Sequence, residues 1–164
     1  MGHRGAKALA PENTLASMKA AAAAGATWVE FDVMLTGDGA PVLFHDDTLE
    51  RTTGTSGEMA RTPLAVVTGL DATRHFSTRY SRRDGRLFRG QPDCRVPTLE
   101  ETARCLLELG LTPNVEIKPT PGLARETAQV ALTRLLAIWP EDRLPPLVSS
   151  FERESLAAAQ LVAP

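Results

Sequence analysis

The run Val29-Glu30-Phe31-Asp32-Val33-Met34-Leu35 sets two acids at alternate positions inside an otherwise apolar segment rich in β-branched residues. A strand has a side-chain period of two, so Glu30 and Asp32 share one face while Phe31 and Val33 occupy the other. Ionised carboxylates flanked by Trp28, Val29 and Val33 are costly to bury unpaired. A fold that takes this strand inside must bring a cation to it, and paired oxygen ligands suit a hard divalent metal. The alternative is an exposed edge strand with a polar face. The remainder of the chain discriminates between them.

Upstream, Met1-Gly2-His3-Arg4-Gly5 puts a histidine and an arginine between glycines, which allow a tight backbone turn and close approach by a ligand. Pro11-Glu12-Asn13-Thr14 then opens an alanine-rich helix over about 12–24, with Asn13 or Thr14 as its cap and Gly25 as its stop. It leads into the acidic strand at 27–35. Thr36-Gly37-Asp38-Gly39 is turn chemistry, and Pro41-Val42-Leu43-Phe44 is a second strand ending at His45-Asp46-Asp47.

From Thr48 to Pro97 apolar periodicity is weak, with at most a short helix near 63–70 and a charged loop, Ser81-Arg82-Arg83-Asp84-Gly85-Arg86. The 48–97 segment reads as an insertion or lid, and His75 within it as a structural or surface histidine. Regularity returns with a helix over 98–109, capped by Thr98 with Glu101 at the capping-box position. A strand over 112–118 places Asn114, Glu116 and Lys118 on one face. A helix over 123–138, a strand over 146–150 and a helix over 152–161 complete the chain.

Strands alternating with helices predict βα units and a parallel sheet within one α/β domain spanning 1–164. In parallel βα folds, ligand sites gather at the carboxyl ends of strands. Glu30, Asp32, His45, Glu116 and Lys118 all sit late in strands or just after them, as do Ser149 and Ser150, and this convergence favours the metal-site reading. With 164 residues, 43% hydrophobic and 23% charged, the composition is that of a soluble globular protein. A net charge of −2 gives no basic footprint for nucleic acid. No run reaches membrane-spanning length. Cys94 and Cys105 lack metal-ligand spacing; reduced thiols in a cytoplasmic protein are the simpler reading, with a single disulfide also open.

Glu30, Asp32 and Glu116 form an oxygen set suited to Mg²⁺ or Ca²⁺, whereas the histidines lack zinc-ligand spacing. Two histidines beside such a set suit metal-assisted hydrolysis, one accepting a proton from the nucleophile and the other donating one to the leaving oxygen. Arg4 and Lys118 add the cations a phosphate needs. The combination fits a phosphodiester better than a neutral amide or ester.

His3-Arg4-Gly5, Pro11-Glu12-Asn13-Thr14, Glu30-x-Asp32, Thr36-x-Asp38-Gly39, His45-Asp46 and Glu116-Ile117-Lys118 together resemble the motif series of the glycerophosphodiester phosphodiesterase family. Each motif alone is weak; the ordered set is specific, and Val148-Ser149-Ser150-Phe151 resembles the family's next strand. The resemblance implies a TIM-type (β/α) barrel with a small insertion after the third strand. It implies hydrolysis of glycerophosphodiesters to glycerol 3-phosphate and an alcohol, within lipid and glycerol metabolism. By motif, His3 and His45 would be the acid/base pair, Glu30, Asp32 and Glu116 the metal ligands, and Arg4 and Lys118 the phosphate contacts. A hydrolase of lysophospholipid headgroups, or a remnant that binds metal or glycerophosphate without turnover, are the other readings. A full barrel takes about 250 residues. Only Met1 and Gly2 precede the first motif, and the last three strand–helix units have no counterpart. The expectation is an incomplete barrel, with open sheet edges that could pair with a second copy.

Overall fold

The computed structural model describes the backbone of residues 1–80 and 82–163 and, outside 81–84, their side chains. Four strands form one sheet: β1 (Trp28–Leu35), β2 (Pro41–Leu43), β3 (Thr112–Ile117) and β4 (Leu147–Ser149), in the order β2-β1-β3-β4. This is an open α/β sheet, in keeping with an incomplete barrel. The acidic strand β1 lies inside the sheet with residues 29–35 all buried, which removes the exposed-edge reading.

The β1–β3 and β3–β4 pairs are parallel, joined by helical crossovers. The expected all-parallel arrangement fails at β2, which pairs antiparallel with β1 through Val33↔Leu43, Met34↔Val42 and Leu35↔Pro41. Only residues 36–40 link these strands, whereas a parallel return needs about a dozen residues or more. The edge of β1 facing away from β3 is thus shared. Its upper half forms the hairpin with β2, and its lower half pairs with the chain start, where Glu30 donates to the Gly2 carbonyl at 2.7 Å and Gly5 to the Glu30 carbonyl at 3.0 Å. Residues 2–5 are therefore anchored to β1.

The odd-numbered face of β1 builds the main core. Val29, Phe31 and Val33 pack with Val115 and Ile117 of β3 against α1 (Leu15–Ala23), α6 (Leu99–Leu109) and α7 (Ala124–Leu136), through Met18, Leu99, Leu106, Ala128 and Leu135. Both predicted caps form: Thr14 on α1 and Thr98 with Glu101 on α6. Helix α8 (Arg153–Val162) packs on α7, and the hydroxyls of Ser149 and Ser150 tie β4 to β3 by donating to Asn114 Oδ1 and the Ile117 carbonyl.

The 48–97 segment holds more helix than its periodicity predicts. It contains α2 (Glu50–Thr53), α3 (Leu64–Val67), α4 (Arg74–Arg79) and α5 (Arg82–Phe88), with 3₁₀ turns at Met59–Arg61 and Pro92–Cys94. Helices of four to seven residues are too short to display a 3.6-residue pattern. The charged loop expected at 81–86 is helical from Arg82; Ser81 and the side chains of 82–84 lie outside the described residues. A second core joins this segment to the hairpin, with Leu49, Met59, Val67, Ala72 and Val96 on Met34, Val42 and Phe44. Cys94 and Cys105 are both free and buried.

Candidate active site

The even-numbered face of β1 meets that of β3 in register, with Glu30 beside Asn114 and Asp32 beside Glu116. One carboxylate oxygen from each of Glu30, Asp32 and Glu116 lies within 4.8 Å of the others. Glu30 and Asp32 are buried, at 5% and 1% exposure, and Glu116 is half-buried. Burial raises the Glu30 carboxyl to about 7; the charges of Asp32 and Glu116 push the same way, against the backbone N–H of Arg4, which donates to Oε2 at 2.8 Å. Glu116 is raised by burial and by Asp32. Glu30 Oε1 is buried with no hydrogen-bond partner among the described residues. Three crowded carboxylates, one with an orphaned oxygen, fit a hard divalent cation and call for one.

The glycine-flanked start supplies the first histidine and arginine. Arg4 takes a left-handed backbone, φ 51°, and Gly5 at φ 73° passes so close to α1 that a Cβ would stand 2.3 Å from Ser17 Oγ. That approach sets His3 Nε2 at 3.6 Å from Glu30 Oε2. Burial, Lys7 and Arg4 lower the His3 pKa. The Arg4 guanidinium reaches Glu12 Oε1 at 2.7 Å and lies 3.3 Å from Asp32 Oδ2. His45, just beyond β2, has Nδ1 at 2.6 Å from Asp46 Oδ1. It lines a cavity of about 410 Å³ with Lys118, Asp46, Asp47, Ser150 and Phe151. The backbone N–H of Lys118 donates to the Val33 carbonyl at 3.0 Å, continuing the sheet past the end of β3. All seven residues singled out by sequence thus gather around one face of β1 and β3, although Glu30 stands third in β1 and not late in its strand as expected. His3 and Arg4 meet the acids of β1, Glu116 joins them from β3, and His45 and Lys118 line the adjoining cavity.

A second set of acids was not assigned a role by sequence reasoning. Arg51, in α2, donates from Nη1 and Nη2 to Glu12 at 3.0 and 2.7 Å and from Nη2 to Asp46 Oδ1 at 3.0 Å, and its Nε donates to Asp46 Oδ2. One guanidinium therefore ties the acid that holds Arg4 to the acid that holds His45. His75 Nε2 lies 3.8 Å from Glu12 Oε2, so this histidine faces the network from the insertion. Burial alone would raise Glu12 and Asp46, but hydrogen bonds and charge from the cations outweigh it: Glu12 falls to about 2, through Arg51 and Arg4, and Asp46 falls well below its usual range, through His45 and Arg51. Asn13 Nδ2 donates to Asp32 Oδ2 at 2.8 Å from a residue at φ 54°. Left-handed backbone at Arg4 and Asn13, both bonded to acids of β1, is strain concentrated beside the acidic cluster. Glu12, Asn13 and Asp46 stood within quoted motifs. Arg51 carried no signal beyond lying one short turn after His45-Asp46.

The glycerophosphoryl diester phosphodiesterase family model matches residues 3–164. Glycerophosphodiester phosphodiesterase 1 of Mus musculus is 38% identical over 151 residues, covering 92% of this chain and 42% of the mouse protein. The glycerophosphodiester phosphodiesterase of Caldanaerobacter subterraneus is 33% identical over 164 residues, covering 100% of this chain and 62% of its own. Among solved structures, an Oleispira antarctica phosphodiesterase in complex with the product sn-glycerol-3-phosphate superposes with a TM-score of 0.87 at 42% identity, over 99% of this chain and 61% of that one. A Silicibacter pomeroyi protein described as a glycerophosphoryl diester phosphodiesterase gives 0.80 at 28% identity. The chain spans 42% to 62% of the length of these two curated relatives. By the family match over residues 3–164, the chain belongs to the glycerophosphoryl diester phosphodiesterase family.

Proposed function

We propose that this chain carries the catalytic groups of a glycerophosphodiesterase, hydrolysing glycerophosphodiesters to glycerol 3-phosphate and an alcohol. The observation that carries the reading is the triad Glu30, Asp32 and Glu116, two of them buried, with one orphaned oxygen and with His3, Arg4, His45 and Lys118 around the same face of the sheet. The triad would hold Mg²⁺ or Ca²⁺. Such an ion, when bound, polarises a phosphoryl oxygen and offsets the charge developing on it. Arg4 and Lys118 bind the remaining phosphate charge, Arg4 with its guanidinium orientation fixed by Glu12. His45 Nδ1 is occupied by Asp46, so Nε2 is the atom free to exchange a proton with substrate. His3, whose Nε2 lies 3.6 Å from Glu30 Oε2, provides the second proton transfer. The product held by the Oleispira antarctica phosphodiesterase supports glycerol 3-phosphate as the released fragment.

The test is release of glycerol 3-phosphate from glycerophosphocholine by the purified chain. Turnover that needs a divalent ion and is lost in His45→Ala supports the reading; turnover that survives both chelation and His45→Ala rejects it. Binding of metal without turnover would leave only the non-enzymatic reading. A second substrate class, lysophospholipids, is favoured by exposed apolar residues on the insertion: Val66, Tyr80 and Leu87 are 50%, 42% and 69% exposed.

A further inference from the structure

The 74–89 stretch stands apart from the chain in charge. It holds six of the 18 basic residues, all arginine, against the single acid Asp84, in a protein whose net charge is −2. It is also a built unit. Asp71 clasps its base, accepting from the backbone N–H of Thr73 at 2.8 Å and of Gly90 at 2.7 Å. Phe76 meets Phe88 edge-on at 5.4 Å and stacks with Tyr80 at 5.7 Å, giving α4 and α5 a small aromatic core. At their crossing, a Cβ on Gly85 would lie 2.7 Å from Ser77 Cα, so only glycine lets the helices approach this closely.

What this unit turns outward is basic and apolar together. Arg79, Arg86 and Arg89 are exposed beside exposed Tyr80 and Leu87, and none of the three arginines forms an ion pair among the described residues. Ser77, Thr78, Gly85, Arg86 and Arg89 also line a cavity of about 360 Å³, whose two guanidiniums match a phosphate-bearing headgroup.

We propose that the α4–α5 hairpin docks on anionic phospholipid headgroups at a bilayer surface. Guanidiniums engage lipid phosphates, while Tyr80 and Leu87 enter the headgroup–acyl boundary. The exposed aliphatic Leu87 favours a lipid interface over nucleic acid, since it cannot stack on a base. His75 lies in the first turn of the same α4 that ends at Arg79, and it faces Glu12. Docking would therefore hold the active-site end of the sheet near a lipid-derived diester. The surface does not depend on the chemistry assigned to the triad, and its test reads binding, not turnover.

The experiment is flotation of the purified chain with phosphatidylcholine vesicles, with and without phosphatidylglycerol. Binding that requires phosphatidylglycerol, weakens with salt and falls at least about tenfold in Arg86→Glu/Arg89→Glu and in Leu87→Ser is the expected result. Thermal melting of each variant controls for folding, and Arg86→Gln/Arg89→Gln reads the same partition if the reversals unfold. Equal binding to neutral vesicles, no loss in the variants, or tighter binding to a DNA oligonucleotide than to anionic vesicles at matched salt would overturn the proposal.

Discussion

Glu30 and Glu12 are both buried glutamates, 5% and 6% exposed, on either side of Arg4, and their surroundings push them in opposite directions. Glu30 stands among Asp32 and Glu116 with the Arg4 backbone N–H on one oxygen, and its carboxyl rises to about 7. Glu12 is enclosed by Arg51 and Arg4 and falls to about 2. The first cluster has acid in excess, three carboxylates against the Arg4 guanidinium that lies 3.3 Å from Asp32 Oδ2. The second is internally neutralised by protein cations and serves as scaffold. Burial penalises both alike, so the difference lies in what each carboxylate faces. A site that must accept an external cation leaves its acids uncompensated, and a positioning network cannot do so.

Replacing the acids sharpens that contrast most. Asp32→Asn should lower divalent-ion affinity at least about 100-fold, because a buried ligand charge is lost from a three-carboxylate set. Isothermal titration with Mg²⁺, Ca²⁺ and Mn²⁺ measures it, and glycerophosphocholine turnover should fall in parallel. Glu12→Gln, by contrast, should leave ion affinity within a few-fold of the parent. Equal losses in the two variants would erase the distinction.

The pH dependence of stability should split in the same way. The folded-state pKa of Glu30 is raised from 4.5 to about 7, so its contribution is present below about 4.5 and is lost as pH rises through 7. Glu12 is the reverse: lowered to about 2, it stabilises above about 4.5 and loses that contribution as pH falls through 2. Each term is of order 3 kcal/mol at its limit. In chelator, the chain should melt lower at pH 8 than at pH 5, and either Glu30→Gln or added divalent ion should remove most of that difference. A flat profile that Glu30→Gln does not change would remove the claim of an uncompensated cluster.

Arg51→Met tests the scaffold. It leaves Glu12 and Asp46 facing each other without their shared cation, and should cost about 2 kcal/mol of stability, at the low end for a broken pair because Arg51 is itself partly exposed. It should also change the pH profile of turnover more than KM, since Asp46 would no longer hold His45 in place. Arg51→Lys should restore little, because an ammonium cannot span two carboxylates bidentately. The smallest effect expected is Asn13→Gly: glycine keeps the left-handed turn, and loss of the bond to Asp32 should cost about 1 kcal/mol.

The sequence made the first of these clusters legible and the second only in part. Glu30, Asp32 and Glu116 sit at alternate positions of long strands, where period two fixes the face before any tertiary contact is known. Helices α1 and α6 were readable from their caps, α7 and α8 from their place after strands, and all four end within about three residues of the expected bounds. The antiparallel β2 was hidden because its three residues carry no directional signal; the short Thr36–Ala40 link did encode it. Arg51 was hidden because its meaning depends on Glu12, 39 residues away in sequence. The helices of the insertion were hidden by brevity. What escaped was therefore short or long-range, and what was read was periodic.

On the proposed function, Glu30, Asp32 and Glu116 bind a divalent cation for phosphodiester hydrolysis. The most direct measurement is glycerol 3-phosphate release from glycerophosphocholine by the purified chain, with chelator and with each divalent ion restored, beside Asp32→Asn and His45→Ala. The account predicts turnover that appears only with the ion and disappears in both variants. Turnover persisting in chelator and in both variants would contradict it.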